Sequence, residues 1–222
     1  MAQEYSLSKE ANLLADSDVL SVQQIPYFYA DGNGENLVWD FSDNISNEGS
    51  SKLWLQKDAL SRNAIMSTNG ITYCIYNGDT LFVAGKESPL SKTSYKRLQL
   101  LMHYPLSYGD SISAPFFGDG VYCGDHPYRE QGASTVMADA RGSIVLEGDT
   151  IPNVMRVYTL RTYSICMDID SSALDTARLK QVIEERYVCT RISLSFVYNH
   201  IEHQLCQHGG HWNRAKSLLY AA

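Results

Sequence analysis

The sequence has no run of 18 or more apolar residues, so no membrane-spanning helix is readable in it. It is short of positive charge: 18 Lys and Arg against 25 Asp and Glu leave a formal net charge of −7. Phosphate backbones are held by clustered Lys and Arg, which excludes nucleic acid as an expected partner. The one basic knot, Ser94–Gln99 (SYKRLQ), reads as a solvated face. Five cysteines, Cys74, Cys123, Cys166, Cys189 and Cys206, form neither a CxxC pair nor a disulfide framework, and read as buried free thiols. There is no GxSxG elbow, phosphate loop or HExxH, so Ser-His-Asp chemistry has no anchor and no cofactor is expected. The opening MAQEYSLSKE has neither a basic n-region nor an apolar h-region. Ala2-Gln3 reads as the remnant of a removed signal peptide behind an added Met1.

What is present is a β-rich globular chain. Its 222 residues suffice for one domain that buries roughly 70% of its unfolded surface. Fifteen tyrosines favour strands and half-wet surfaces. Leu37, Trp39 and Phe41 alternate with Val38 and Asp40, as in a half-buried strand. ITYCIYNGDTLFVAG places two β-prone runs around Asn77-Gly78, which predicts a hairpin with a type I′ turn. The segment from Ser134 to Ile169 predicts three strands, separated by turns at Ala140–Gly142 and Glu147–Asp149, the last running Val154–Ile165. SSALDTARLKQVIEERY breaks the pattern. Ser172 and Asp175 resemble a capping box, and Leu179, Val182, Ile183 and Tyr187 share a helical face, which predicts one short C-terminal helix. The expected fold is therefore mainly β, an antiparallel β-sandwich or β-roll-like domain with that helix. With no repeat or linker, residues 1–187 are expected to form one domain.

Several segments, in order, carry a resemblance. These are Trp39-Asp40-Phe41, Tyr104-Pro105 with Tyr108-Gly109-Asp110, Asp139 with Gly142 through Leu146, and Asn153-Val154-Met155-Arg156-Val157. Over about Val19 to Tyr187 the chain resembles an uncharacterised family of secreted or surface proteins of Bacteroidetes bacteria, some with a type IX secretion sorting tail. The resemblance implies export and residence in the cell envelope or outside the cell; it implies no activity.

Residues 188–222 depart from that family. Val188–Ser195 (VCTRISLS) can be encoded by bases that, read one nucleotide later, give Tyr-Ala-Arg-Gly-Tyr-Arg-Tyr-Pro, similar to the family's continuation. The segment is therefore read as a frameshifted tail, loose or opportunistically packed, that leaves a sheet edge unpaired. It contains NHIEHQLCQHGGHW, with four of the six histidines. His200, His203 and Cys206 fall at i, i+3 and i+6, which would diverge on a helix, and Gly209-Gly210 separates His208 from His211. No standard zinc spacing results, and no metal site is expected.

For catalysis, Asp110, Asp119, Asp125, Asp139 and Asp149 are candidate paired carboxylates, with His103 and His126 as bases. Most sit beside Gly in apparent turns, where Asp bonds the local backbone, so no catalytic residue is assigned. For binding, the candidates are Tyr104, Tyr108, Phe116, Phe117, Tyr122 and Tyr128, a set of aromatics able to stack on sugars. The expected role is structural or adhesion-like and non-catalytic, with an envelope protein or cell-surface glycan as partner. A carbohydrate-binding module is the alternative, and a glycan hydrolase the third reading. Sequencing the coding DNA around the Tyr187 codon should reveal a one-base shift relative to close relatives. An intact frame shared with those relatives would contradict the tail reading.

Overall fold

The computed structural model describes residues 6–13, 16–25, 32–42, 50–146, 148–167, 179–189, 195–205 and 211–221, with residues 22–25, 50, 179, 189 and the last two segments as backbone only. Among the described residues, apart from a 3-10 turn at Glu10–Asn12, the regular elements are strands. The strands are β1 (Ser6–Leu7), β2 (Val19–Ile25), β3 (Gly34–Asp40), β4 (Ser50–Lys57), β5 (Asn63–Ser67), β6 (Gly70–Asn77), β7 (Thr80–Glu87) and β8 (Ser91–His103), followed by β9 (Leu106–Ser107), β10 (Ser111–Tyr122) and β11 (His126–Leu146). The chain ends with β12 (Asp149–Cys166), β13 (Leu179–Cys189), β14 (Ser195–Leu205) and β15 (His211–Ala221). The mainly β, antiparallel architecture expected from the sequence is what the chain adopts.

Thirteen strands form one sheet, and its order closes on itself. From β10 it runs through β8, β7, β6, β5, β4, β2, β15, β14, β13 and β12 to β11, and β11 pairs again with β10. With β3 attached beside β11 by parallel pairing, the other twelve strands make an antiparallel up-and-down ring. Opposite walls meet inside it. Cys74, Leu81 and Val83 from β6 and β7 share a core cluster with Met155, Val157 and Val188 from β12 and β13, which are not their sheet neighbours.

Strand alternation explains which residues reach that core. In β8, Thr93 and Tyr95 are buried while Lys92, Ser94 and Lys96 are exposed, the period of two that a pleated strand imposes. In β12, Met155 and Val157 join the inner cluster, whereas Val154 joins a second cluster with Trp39, Phe41, Ala140, Ile144 and Tyr187. That second cluster therefore lies on the other face of the wall. Tyr187 is its hub, packed edge-on against Trp39 at 4.9 Å and Phe41 at 5.6 Å. Beside it, Arg156 pairs with Asp139 at 2.8 Å and donates to the Gly32 carbonyl at 2.7 Å.

One end of the barrel is shut. The short β1–β9 sheet places Leu7 and Leu106 wholly inside, next to buried Tyr104. Lys9 straps the N-terminal segment across the β6–β7 turn, donating to the Gly78 carbonyl at 2.6 Å and pairing with Asp79.

The hairpin predicted at Asn77-Gly78 is present, with a different turn. Asn77 pairs with Thr80, so the loop is Gly78-Asp79, and of these two only Gly78 has positive φ. That is the pattern of a type II′ turn, which places Gly first. The turn predicted at Ala140–Gly142 is absent: β11 runs through it, with register shifts at Ala138/Ala140 and Gly142/Ile144. The irregularity marks where β3 takes over from β10 as the neighbour of β11. Gly142 permits it, since a Cβ there would lie 1.9 Å from the Leu37 carbonyl oxygen. The strand predicted at Leu37–Phe41 is β3, with Trp39 buried and Val38 67% exposed.

The helix predicted over Ser172–Tyr187 begins outside the described residues, and from Leu179 onward the chain is instead strand β13, paired with β12 and β14. Val182 and Tyr187, predicted to share one helical face, occupy opposite faces of the wall, because an odd separation on a strand reverses the side. The β-branched and aromatic residues of this segment suit a strand, and ladder pairing on both sides overrides a helical spacing. The segment read as a tail supplies β14 and β15, whose backbones bridge β13 and β2.

Gly142→Ala is expected to lower stability by about 1–3 kcal/mol through overpacking against β3. It should also speed amide exchange in Leu37–Asp40. Urea unfolding and hydrogen exchange test this; an unchanged midpoint with β3 still protected would contradict the close approach.

Candidate functional site

Eight-stranded barrels are just filled by their own side chains, and 16- to 18-stranded ones enclose a channel. A ring of twelve lies between these cases. Here the closed end is packed solid by the inner cluster, and the opposite end holds a cavity of about 900 Å³. Ligand pockets span roughly 300–1,000 Å³.

The wall of this chamber comes from strands around most of the ring. β4 supplies Leu53, β5 Ile65, β6 Ile71, β7 Lys86 and β8 Thr93. β10 supplies Tyr122, β11 Tyr128 and Glu130, β12 Tyr163 and Ile165, and β13 Lys180. Asn69, Ser88, Ser91 and Met167 lie at its rim, on or beside the loops that join strands at this end.

Below the aliphatic wall the interior becomes polar. Tyr95 donates to Glu130 at 2.9 Å, and Thr93 and Tyr128 share a short hydroxyl–hydroxyl bond. Gly120 makes room for the Tyr128 ring, since a Cβ there would fall 2.4 Å from it. Arg161 donates to Glu184 at 3.0 Å, and Arg186 lies 3.4 Å from the same carboxylate. On β12, Thr159 shares the inward phase with Arg161 and Val157; its buried hydroxyl has no hydrogen-bond partner among the described residues. The same is true of Gln99 Oε1.

Lys86 stands apart from these pairs. Its Nζ lies 5.8 Å from the Tyr95 ring centre, pointing away from the rim, and makes no ion pair or hydrogen bond among the described residues. Burial pushes its ammonium down to about 8 and Arg161 adds to the effect, against partial support from Glu130 and Glu184. Burial, and then the Glu130 carboxylate, hold the Tyr95 phenol protonated far above the ordinary tyrosine range.

The six aromatics singled out in the sequence do not form one surface. Tyr104 and Phe116 belong to the inner core, where Phe116 stacks edge-on with Tyr95 at 5.6 Å. Tyr108 is half-buried with the Arg141 guanidinium 5.1 Å from its ring, and Phe117 is partly exposed on β10. Tyr122 and Tyr128 come together, both lining the chamber. The acidic candidates are dispersed and engaged. Asp110 accepts from the Ser107 backbone N–H, Asp119 holds Lys96 and Arg129, Asp139 holds Arg156, and Asp149 accepts from the Thr150 N–H. Asp125 lies 3.4 Å from His126, and His103 bonds Thr80 at 2.8 Å.

The side chains of His200, His203 and His211, and all of Cys206 and His208, lie outside the described residues. Among the described residues no three His, Cys, Asp or Glu gather as metal ligands. The residues missed by sequence reasoning are Lys86, Glu130 and Tyr163 on the chamber wall and the Arg161–Glu184 pair of the barrel interior. Their signal is charge in the inward phase of a strand: Arg161 follows Val157 and Thr159 at steps of two.

The fold and this site define a closed antiparallel β-barrel with a chamber of ligand size at one end. No family model, curated protein or solved structure matches the chain.

The half-buried Lys86, whose ammonium is desolvated, makes a stability prediction with a definite sign. Unfolded, Lys86 titrates near 10.5; folded, near 8. Below pH 8 both states hold the proton and the fold bears the full cost of the buried ammonium. Between pH 8 and 10.5 only the unfolded chain keeps the proton, and the cost fades. Lys86→Met should therefore be more stable than wild type at pH 7, by on the order of 3 kcal/mol, with the gap closing toward pH 10.5. Urea unfolding of both proteins across that range measures it, and a gap independent of pH would contradict the assignment.

Proposed function

We propose that this protein is a non-catalytic binding protein of the cell envelope or the extracellular space, taking one small molecule into the open end of its barrel. The observation that carries this reading is the chamber of about 900 Å³, walled by aliphatic and tyrosine side chains over a polar floor. Pockets of that kind, mostly apolar with a few convergent polar groups, are the usual form of a small-molecule site. A non-catalytic role accords with the acidic residues, whose carboxylates are committed to backbone turns and ion pairs. The compartment rests on the resemblance to secreted and surface proteins of Bacteroidetes. A structural or adhesion-like role is compatible with this reading when the captured molecule belongs to a neighbouring surface.

A carbohydrate is the second reading, and one observation favours it. Tyr122, Tyr128 and Tyr163 line the same chamber as the hydroxyls of Ser67, Ser91 and Thr93, the mixture of flat rings and hydroxyls that a sugar uses.

Thermal unfolding with added short-chain amphiphiles and soluble oligosaccharides separates these readings. A true ligand at a hundredfold excess over its Kd should raise Tm by about 5–10 °C. The rise should shrink in Ile165→Trp, which narrows the chamber. A response to oligosaccharides alone selects the carbohydrate reading. No response to either class would leave the barrel a scaffold and refute the proposal.

A further inference from the structure

Among the described residues, the charged groups below the chamber do not balance: Lys86, Arg161 and Arg186 face two carboxylates, Glu130 and Glu184. Glu184 is shared by both arginines, and Glu130 accepts from Tyr95. Glu87, the other carboxylate on the lining, is held by Lys92 at 2.6 Å. Lys86 is left with no ion pair or hydrogen bond among the described residues. A cation drawn out of water without a counter-ion is costly, and half-buried Lys86 lines the chamber. Thr159 adds a buried hydroxyl, likewise without a partner among the described residues. Above this floor, Leu53, Ile71, Ile165 and Met167 present hydrocarbon and no hydrogen-bonding group.

We infer that the chamber selects an amphipathic monoanion, its acidic head lowered onto Lys86 and its hydrocarbon lying among the aliphatic residues nearer the rim. The inference rests on the binding reading above and adds the chemistry of the ligand. Orientation follows from the strand register. Lys86 pairs across β7–β8 with Thr93 and across β6–β7 with Thr72, while its Nζ reaches toward Tyr95, two residues further from the rim. Ile71 pairs with Glu87, and Met167 follows β12 at the mouth, so both sit on the rim side of the ammonium. A head-first entry joins charge to charge and hydrocarbon to hydrocarbon. Tail-first entry would bury an alkyl chain against three cations and leave the ligand's anion among the rim serines.

Calorimetric titration of the full chain with decanoate and with decan-1-ol, which share a chain and differ in the head, tests the inference. Decanoate should bind at least about tenfold more tightly than the alcohol, the difference a charge-assisted contact supplies. Lys86→Met should lose that preference while still binding decanol, and Lys86→Arg should keep it. Equal binding of acid and alcohol by wild type, or decanoate affinity unchanged in Lys86→Met, would refute the anion preference and leave the binding proposal standing. Binding of neither probe, together with no thermal shift for any amphiphile or oligosaccharide, would refute both. Should Lys86→Met fail to fold, the wild-type comparison of the two probes decides alone.

Discussion

The structure depends on the pairing of β10 with β11. Ser111–Tyr122 match Met137–His126 in an unbroken antiparallel register, and this ladder turns an open meander into a ring. An open sheet of twelve strands would expose unpaired N–H and C=O groups at two edges, which invites association. Closure removes those edges from the ring and encloses a volume. Everything else of interest, from the packed floor to the desolvated lysine, exists because that volume is shut off from water on most sides.

The same wall serves two cores. Met155, Val157 and Val188 fill the barrel, while Val154 and Tyr187, one residue away, pack outward with Trp39 and Phe41. β3 seals this outer cluster by lying along the final third of β11, where Gly142 allows the backbones to meet. The buried pair Arg156–Asp139 sits at this junction. Such a pair contributes little net stability; it joins β12 to β11 at the register shift between Ala138 and Ala140.

The chamber runs against the logic of the rest of the molecule. At the closed end, apolar side chains fill the barrel; at the open end, charged groups occupy positions where apolar ones would stabilise the fold more. Lys86 is the clearest case, and local conflicts of this kind concentrate where a protein does its work. Of the aromatics singled out in the sequence, Tyr122 and Tyr128 line the concavity, while Tyr104 and Phe116 belong to the core.

Strand character was legible at Leu37–Phe41, around Asn77-Gly78 and over Val154–Ile165, because alternation and turn dipeptides are local signals. Trp39 and Val157 each announce a buried position by the polarity of their neighbours, whereas Tyr95, in a stretch read as a solvated face, is buried. The hairpin at Asn77-Gly78 was legible too, though its loop moved by one residue, since two neighbouring registers suit the same dipeptide. Two other expectations failed for non-local reasons. Gly142 looks like a turn residue, yet it serves a close approach by a strand a hundred residues earlier. Leu179–Tyr187 has helical spacing, yet it is bounded by β12 and β14, whose hydrogen bonds outweigh intrinsic preference. The sequence by itself determined that this chain would be strands with two unlike faces, because a period of two is written residue by residue. Only the tertiary structure decided that the strands close into a ring, which face looks inward, and that Lys86, Glu130, Arg161 and Glu184 meet beneath one cavity. Those facts depend on pairings across long stretches of chain, and no local pattern records which strand lies opposite which.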